Sequence, residues 1–203
     1  MYLPKPFDRP EYAPRLMREH PLASLVSTDD TGFPFIAHLP LKLLDSPGQP
    51  MRLLGHCARA NPLWGYLQQR PLALASFMGP QAYMSPKVYP DRQRVPTWSY
   101  VAVQARVQAR LLEGEAAQDA LLKQLIADHE PAYAEQWRSL PDTYTQRMLQ
   151  AIVAFELEVL DLQCAVKLNQ HRPEAHAAMH AAYAQGNSQE QALAAWMKTL
   201  GLV

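Results

Sequence analysis

A chain of 203 residues with 48% hydrophobic side chains can bury about 70% of its unfolded surface, enough for one domain or one domain with a helical annex. Its 19 basic and 19 acidic side chains cancel, which excludes the long-range pull toward nucleic acid or acidic membrane that a strong net charge brings. Two cysteines, Cys57 and Cys164, do not make a disulfide framework, and reduced thiols in the cytoplasm are expected.

The opening Met1-Tyr2-Leu3-Pro4-Lys5-Pro6-Phe7 lacks the apolar core of a signal peptide. No run approaches the roughly 20 apolar residues that cross a bilayer. Short strands and turns then follow. Leu22 to Thr28 reads as a strand, and Asp29-Asp30-Thr31-Gly32 as a hairpin turn, because glycine supplies the positive φ of a tight turn. A second strand is expected from Phe35 to Leu44, with Phe35, Ala37, Leu39, Leu41 and Leu43 on one face and Ile36, His38, Pro40 and Lys42 on the other. After a turn at Asp45-Ser46-Pro47-Gly48, Met51 to His56 is a third strand.

Asn61 can cap a short helix that opens with Pro62 and carries Leu63, Tyr66 and Leu67 at helical spacing. Leu72 to Met78 reads as a buried strand that Gly79-Pro80 breaks and Ala82 to Ser85 resumes. Tyr100 to Leu112 alternates strictly, with Val101, Val103, Ala105, Val107, Ala109 and Leu111 on one face. Ala116 to Glu130 and Asp142 to Ala151 turn helical. Ile152 to Leu162 is again a long strand, and Pro173 to Leu200 reads as two short helices broken near Gly186-Asn187. The expected fold class is α+β, mainly β with peripheral helices closing a barrel. A domain over 1–172 with a helical extension over 173–203 packed on it is the expected division.

Three segments carry candidate chemistry. Gly55-His56-Cys57-Ala58-Arg59-Ala60-Asn61-Pro62 joins a strand to a helix. It is either an anion site, with backbone N–H groups, Arg59 and His56 facing a phosphate or carboxylate, or a capped helix start with a surface arginine. Val95-Pro96-Thr97-Trp98-Ser99-Tyr100 offers aromatic faces to a planar ligand, or simply core. Lys167-Leu168-Asn169-Gln170-His171-Arg172 suits a phosphate or a ring edge, or is a polar exit loop. His176 and His180 share a helix face, but Ala177 stands where a zincin would need Glu, so a solvated helix is expected rather than a metal site. Cys57 and His56 point apart in a strand and make no nucleophile pair.

Taken in order, these blocks resemble the PaiB family, described as FMN-binding negative transcriptional regulators with an FMN-binding split-barrel fold. The resemblance runs through Met1-Tyr2-x-Pro4-x-x-Phe7, His38-Leu39-Pro40-Leu41, His56-x-Ala58-Arg59-Ala60-Asn61-Pro62-x-Trp64 and Phe77-x-Gly79-Pro80-x-Ala82-Tyr83-x-Ser85-Pro86-x-x-Tyr89. It ends with Val95-Pro96-Thr97-Trp98-x-Tyr100 and Lys167-Leu168-x-Gln170-x-Arg172. Departures fall at Ala37, Ser99, Asn169 and His171, and Ala37 has no side-chain donor to offer.

The resemblance implies an FMN cofactor at a homodimer interface. It implies contacts from His38, Leu39, Pro40, His56, Arg59, Asn61, Trp98, Tyr100, Lys167, Asn169 and Gln170. His56, Arg59 and Lys167 suit the phosphate, Asn169 and Gln170 the ring or ribityl edges, and Trp98 or Tyr100 the ring face. Two functions follow as expectations: a regulatory or sensor flavoprotein, or an FMN-dependent oxidoreductase that takes electrons from a nicotinamide donor. Neither a helix-turn-helix nor a basic stripe is legible, so direct DNA contact is not expected from charge.

Overall fold

The computed structural model describes residues 1–203. Seven strands form one sheet in the order β2-β1-β5-β6-β7-β4-β3. They are β1 (Leu22–Thr28), β2 (Pro34–Pro40), β3 (Lys42–Leu44), β4 (Arg52–Ala58), β5 (Leu72–Met84), β6 (Thr97–Leu112) and β7 (Ile152–Lys167). Seven helices accompany them: α1 (Ala13–Glu19), α2 (Leu63–Gln69), α3 (Glu115–His129), α4 (Tyr133–Ser139), α5 (Asp142–Gln150), α6 (His176–Ala184) and α7 (Ser188–Thr199). The chain divides into two compact units. Unit one is Met1–His20, Phe77–Gln104 and Leu162–Val203, and unit two is Pro21–Ser76 and Ala105–Asp161.

In unit two, β1 and β2 make an antiparallel hairpin with Leu22 opposite Pro40 and Thr28 opposite Pro34. Its turn is locked by Asp29, whose Oδ1 accepts from the Thr31 amide at 2.8 Å, the Thr31 hydroxyl at 2.7 Å and the Phe33 amide at 2.9 Å. The Thr31 hydroxyl first, and then the Phe33 amide, hold the Asp29 carboxyl below its ordinary pKa. Gly32 takes φ +85°, as the hairpin reading required.

The expected strand from Phe35 to Leu44 is two strands. Pro40 has no N–H to continue the ladder, and the Leu41 amide turns away to the Pro21 carbonyl at 2.9 Å. β4 pairs antiparallel with β7, from Arg52 opposite Glu158 to Ala58 opposite Ile152. Leu25, Leu41, Leu53, Leu67, Phe155 and Leu157 are fully or almost fully buried there. Helix α3 adds Leu121 to a cluster with Leu54 and Ala154, flanked by Leu44, Leu112 and Leu125.

In unit one, β5 runs unbroken through Gly79-Pro80, where a break was expected. Gly79 is there for space: a Cβ on it would sit 2.5 Å from Leu16 Cδ1 and 3.2 Å from the Val101 carbonyl oxygen. β6 and β7 are longer than their alternation suggested, reaching back to Thr97 and on to Lys167. Helices α1 and α4 were not expected at all. Ala13, Leu16 and Met17 of α1 are wholly buried. No helix is long and apolar enough to cross a membrane.

The break at Gly186-Asn187 is a helix start with a full capping box. Asn187 Oδ1 accepts from the Gln189 and Glu190 amides at 2.9 and 3.1 Å, and Glu190 Oε2 accepts from the Asn187 amide at 2.8 Å. Asn187→Ala should therefore cost about 1 kcal/mol, the ordinary worth of an N-cap. Urea unfolding of the variant, with the slope unchanged, checks it.

Candidate functional site

One concavity lies wholly within unit one. It is a pocket of about 350 Å³ between the entry of β6, the exit of β7 and the loop that carries Tyr89 and Arg94. That size is at the lower end of the roughly 300–1,000 Å³ of small-molecule sites. Phe7, Met84, Val95 and Trp98 give it apolar wall, while Tyr89, Arg94, Thr97, Lys167, Asn169 and Arg172 give it polar atoms.

β6 positions Trp98 at the rim, 48% exposed, with its Nε1 donating to Gln81 Oε1 and its ring edge-on to Tyr83 at 6.2 Å. The neighbouring Ser99, 1% exposed, also lines the pocket and accepts from the Tyr183 hydroxyl at 3.0 Å. Across the pocket, the last residue of β7 is Lys167. Its Nζ donates to Thr97 Oγ1 at 2.9 Å and sits 5.7 Å from the centre of the Tyr100 ring. Partial burial lowers its pKa from the usual lysine value. No carboxylate pairs with it, so a partly desolvated cation faces the Tyr100 ring in a pocket that the exposed Trp98 also lines. That is the environment in which an incoming anion gains most.

Asn169 follows in the left-handed region, at φ +61°, a conformation Asn tolerates better than most residues. The turn is fixed from both sides. Tyr89 donates its hydroxyl to Asn169 Oδ1 at 3.1 Å, and His176 Nε2 lies 3.0 Å from the Asn169 carbonyl oxygen. His176 is therefore 7% exposed and structural, a correction to the expected solvated helix face. Gln170 does not line the pocket. Its side chain clamps the strand exit, accepting from the Leu168 amide at 2.9 Å and donating to the Val166 carbonyl at 2.5 Å.

The unit-two candidates lie on β2 and on the passage from β4 to α2. His38 is exposed, with Nδ1 3.1 Å from Ser24 Oγ, and Leu39 and Pro40 close the same strand half-buried. His56 is half-buried. Burial lowers its pKa, so the imidazole is neutral at neutral pH, and its Nδ1 has no partner. Arg59 is exposed but not loose: Nε donates to the Gln150 carbonyl at 2.6 Å and Nη2 to the Ile152 carbonyl at 3.1 Å. Its own carbonyl accepts from Trp64 Nε1 at 2.9 Å. Asn61 Oδ1 accepts from the Leu63 amide at 3.0 Å in a local turn, but α2 begins at Leu63 with Pro62 as its cap and no side-chain cap bond, one residue later than the expected start. The loop is thus pinned by its own side chains and leaves a fixed cation at the surface.

Of the expected contacts, Trp98, Lys167 and Asn169 share one pocket, and Tyr100 backs it. His56, Arg59 and Asn61 share one loop, with His38 on a separate strand. Tyr89 and Arg94 were missed. Arg94 stands in an irregular, proline-rich stretch without periodicity, and Tyr89 was legible only as part of the family pattern. The thiols take no part: Cys57 and Cys164 are both buried. Burial, and then Glu11 and Asp8, push the Cys164 thiol up to about 12, far from a reactive thiolate.

The donor set fits FMN. In unit one, a phosphate would meet the cation of Lys167, and the exposed Trp98 ring suits a flat aromatic ring; in unit two, taken by itself, the Arg59 loop offers a fixed surface cation. Residues 1–161 match the family model described as "Putative FMN-binding domain". The chain is 33% identical over 181 residues to the "Protease synthase and sporulation protein PAI 2" of Bacillus subtilis (strain 168), covering 86% of this chain and 84% of that one. In structure it is similar to the flavocytochrome Anf3 from Azotobacter vinelandii, with TM-score 0.62 and 17% identity over 80% of this chain and 70% of that one. It is also similar to the FAD and heme binding protein from Mycobacterium smegmatis, with TM-score 0.59 and 16% identity over 78% and 71%. The fold is the α+β split barrel expected from the sequence. By the match of its residues 1–161 and its identity to the Bacillus subtilis protein, this chain belongs to the FMN-binding domain family of the PaiB type, and its cofactor is FMN.

Proposed function

We propose that this protein is a cytoplasmic regulatory or sensor flavoprotein that works as a homodimer. The observation that carries the reading is the unit-one pocket, where the partly desolvated Lys167, without a carboxylate partner, and the exposed Trp98 line the same cavity. FMN contributes a redox-active ring when bound. The chain's part is to hold it: in unit one Lys167 is the proposed phosphate contact and Trp98 stands against the ring, and in unit two the Arg59 loop is a separate candidate for a phosphate. The Bacillus subtilis relative is named "Protease synthase and sporulation protein PAI 2", and the link of that name to sporulation supports a regulatory role over a metabolic one. A second copy is the partner proposed. Leu22, Ile36 and Leu72 in unit two and Met78, Tyr83 and Trp98 in unit one leave large apolar side chains in water, which pairing would cover.

FMN should copurify with the protein or, added back, give bound-flavin absorption and raise the melting temperature, since a ligand of the native state alone stabilises it. Absence of any shift at saturating FMN would sink the reading. Light scattering at micromolar concentration should give twice the mass of one chain. The regulatory assignment stands if the bound flavin resists NADH and NADPH, and steady oxidation of either donor would replace it with the oxidoreductase reading. With zero net charge, nonspecific DNA affinity should be weak, with a shallow salt slope.

A further inference from the structure

The three helices that lie between β6 and β7 flank another concavity, wholly within unit two. It is a cleft of about 400 Å³ between α3, α4 and α5, and none of the candidate flavin contacts lines it. Side chains tie its walls together. Asp119 of α3 accepts from Trp137 Nε1 of α4 at 3.0 Å and pairs with Lys123 at 2.6 Å. Glu115 of α3 accepts from Gln150 Nε2 of α5 at 3.0 Å. These bonds answer Asp119, Lys123 and Glu115 within the protein and fix the indole as one wall. Leu140 and Leu149 add apolar surface to the lining.

Two charged groups on the cleft are left without an opposite charge. Arg138, in the last turn of α4, engages only its Nε, which donates to the Ala134 carbonyl at 3.1 Å. Asp142, in the first turn of α5, presents a carboxylate that no side chain or amide binds. The two stand on either side of Ser139-Leu140-Pro141, both line the cleft, and they do not pair with each other. Unpaired charges of opposite sign on one cleft, with an indole and two leucines in the same lining, are complementary to a ligand that carries both charges and an apolar group. A ligand with a single charge would leave the other side chain unanswered.

We propose that this cleft binds a free α-amino acid with an apolar side chain, its carboxylate on the Arg138 guanidinium, its ammonium on the Asp142 carboxylate and its side chain against Trp137. The volume stands at the lower end of the roughly 300–1,000 Å³ of small-molecule sites, which suits one amino acid better than a peptide or a nucleotide. The Asp119 bond to Trp137 holds the indole in place beforehand, so little side-chain entropy is lost on binding. The site belongs to unit two by itself. It goes beyond the flavin reading and does not depend on it.

L-Phenylalanine is the probe, titrated by calorimetry into the whole chain with FMN at saturation and again without FMN. The expected result is one saturable site. Phenylpropionate, which lacks the ammonium, and phenethylamine, which lacks the carboxylate, should each bind at least about tenfold more weakly, the scale of one charged hydrogen bond. Arg138→Gln should weaken L-phenylalanine at least about tenfold and cancel its advantage over phenethylamine. Asp142→Asn should weaken it similarly and cancel its advantage over phenylpropionate. Both side chains are exposed, so both variants should keep the circular dichroism and melting temperature of the wild type. No binding of L-phenylalanine at about 10 mM, beyond the weak end of ligand affinities, would overturn the proposal. So would equal affinity for L-phenylalanine and either singly charged analogue, or undiminished binding by both variants. A protein that takes up no flavin yet binds L-phenylalanine through Arg138 and Asp142 would remove the FMN reading and leave this site standing, and the reverse result would remove this site alone.

Discussion

Phe155→Ala is expected to lower the unfolding free energy by about 3–5 kcal/mol, the range for removing a buried aromatic ring. Phe155 is fully buried in β7, opposite Gly55 of β4. The ring fills the place a side chain at Gly55 would take: a Cβ there would lie 2.9 Å from Phe155 Cε2 and 2.5 Å from Leu41 Cδ2. Glycine on one strand and phenylalanine on the other are therefore one packing unit, and truncating the ring leaves a hole bounded by backbone that cannot collapse into it. Urea denaturation with an unchanged slope should report the loss. A loss under about 1 kcal/mol would mean that unit two relaxes around the hole and that this pairing does not hold the strand register. The same unit carries the Arg59 loop, because the β7 residues that follow Gln150 supply a carbonyl that Arg59 grips. Loosening β7 should therefore blunt FMN binding as well as stability.

What the sequence made legible follows from periodicity. Val101 to Val107 alternate so strictly that β6 had to be a strand, and Asp29 to Gly32 carry a turn whose Asp29 hydrogen bonds are all local, with Arg70 adding a bond to Asp30 from outside. Misreadings arose where the reason for a residue lies in another element. Gly79-Pro80 has the composition of a breaker, yet Gly79 is small because Leu16 presses on it. Helix α1 is only seven residues long and opens among prolines, and its burial, not its propensity, makes it a helix. His176 has the look of a surface histidine, but it is buried to hold the Asn169 turn.

In the site, the aromatic-rich entry of β6 and the polar exit of β7 were visible as separate segments. Their meeting in one pocket was a matter of topology, and no local signal marked Arg94 as part of it. The left-handed φ of Asn169 was equally hidden, because nothing in Lys167 to Arg172 distinguishes a fixed turn from a loose one.

Lys167→Ala is expected to weaken FMN by about 1.5–3 kcal/mol while leaving riboflavin within about 0.5 kcal/mol. The two ligands share the ring and differ by a phosphate near charge −2, so the difference isolates the anion. Lys167 has the Thr97 hydroxyl and the Tyr100 ring as neighbours but no carboxylate, and burial has already lowered its pKa, so its ammonium gains when an anion arrives. Arg59→Ala should show the same selectivity if the loop receives the phosphate. Because Arg59 also grips the Gln150 and Ile152 carbonyls, Arg59→Lys serves as the control that keeps the charge but not the fork. Trp98→Ala should weaken both flavins alike, since a half-exposed indole can act only on the ring they share. Fluorescence titration of wild type and the four variants with each flavin separates the roles. Equal losses for FMN and riboflavin in Lys167→Ala would place Lys167 at the ring, not the phosphate. Selective loss in Arg59→Ala alone would then place the phosphate at the loop after β4.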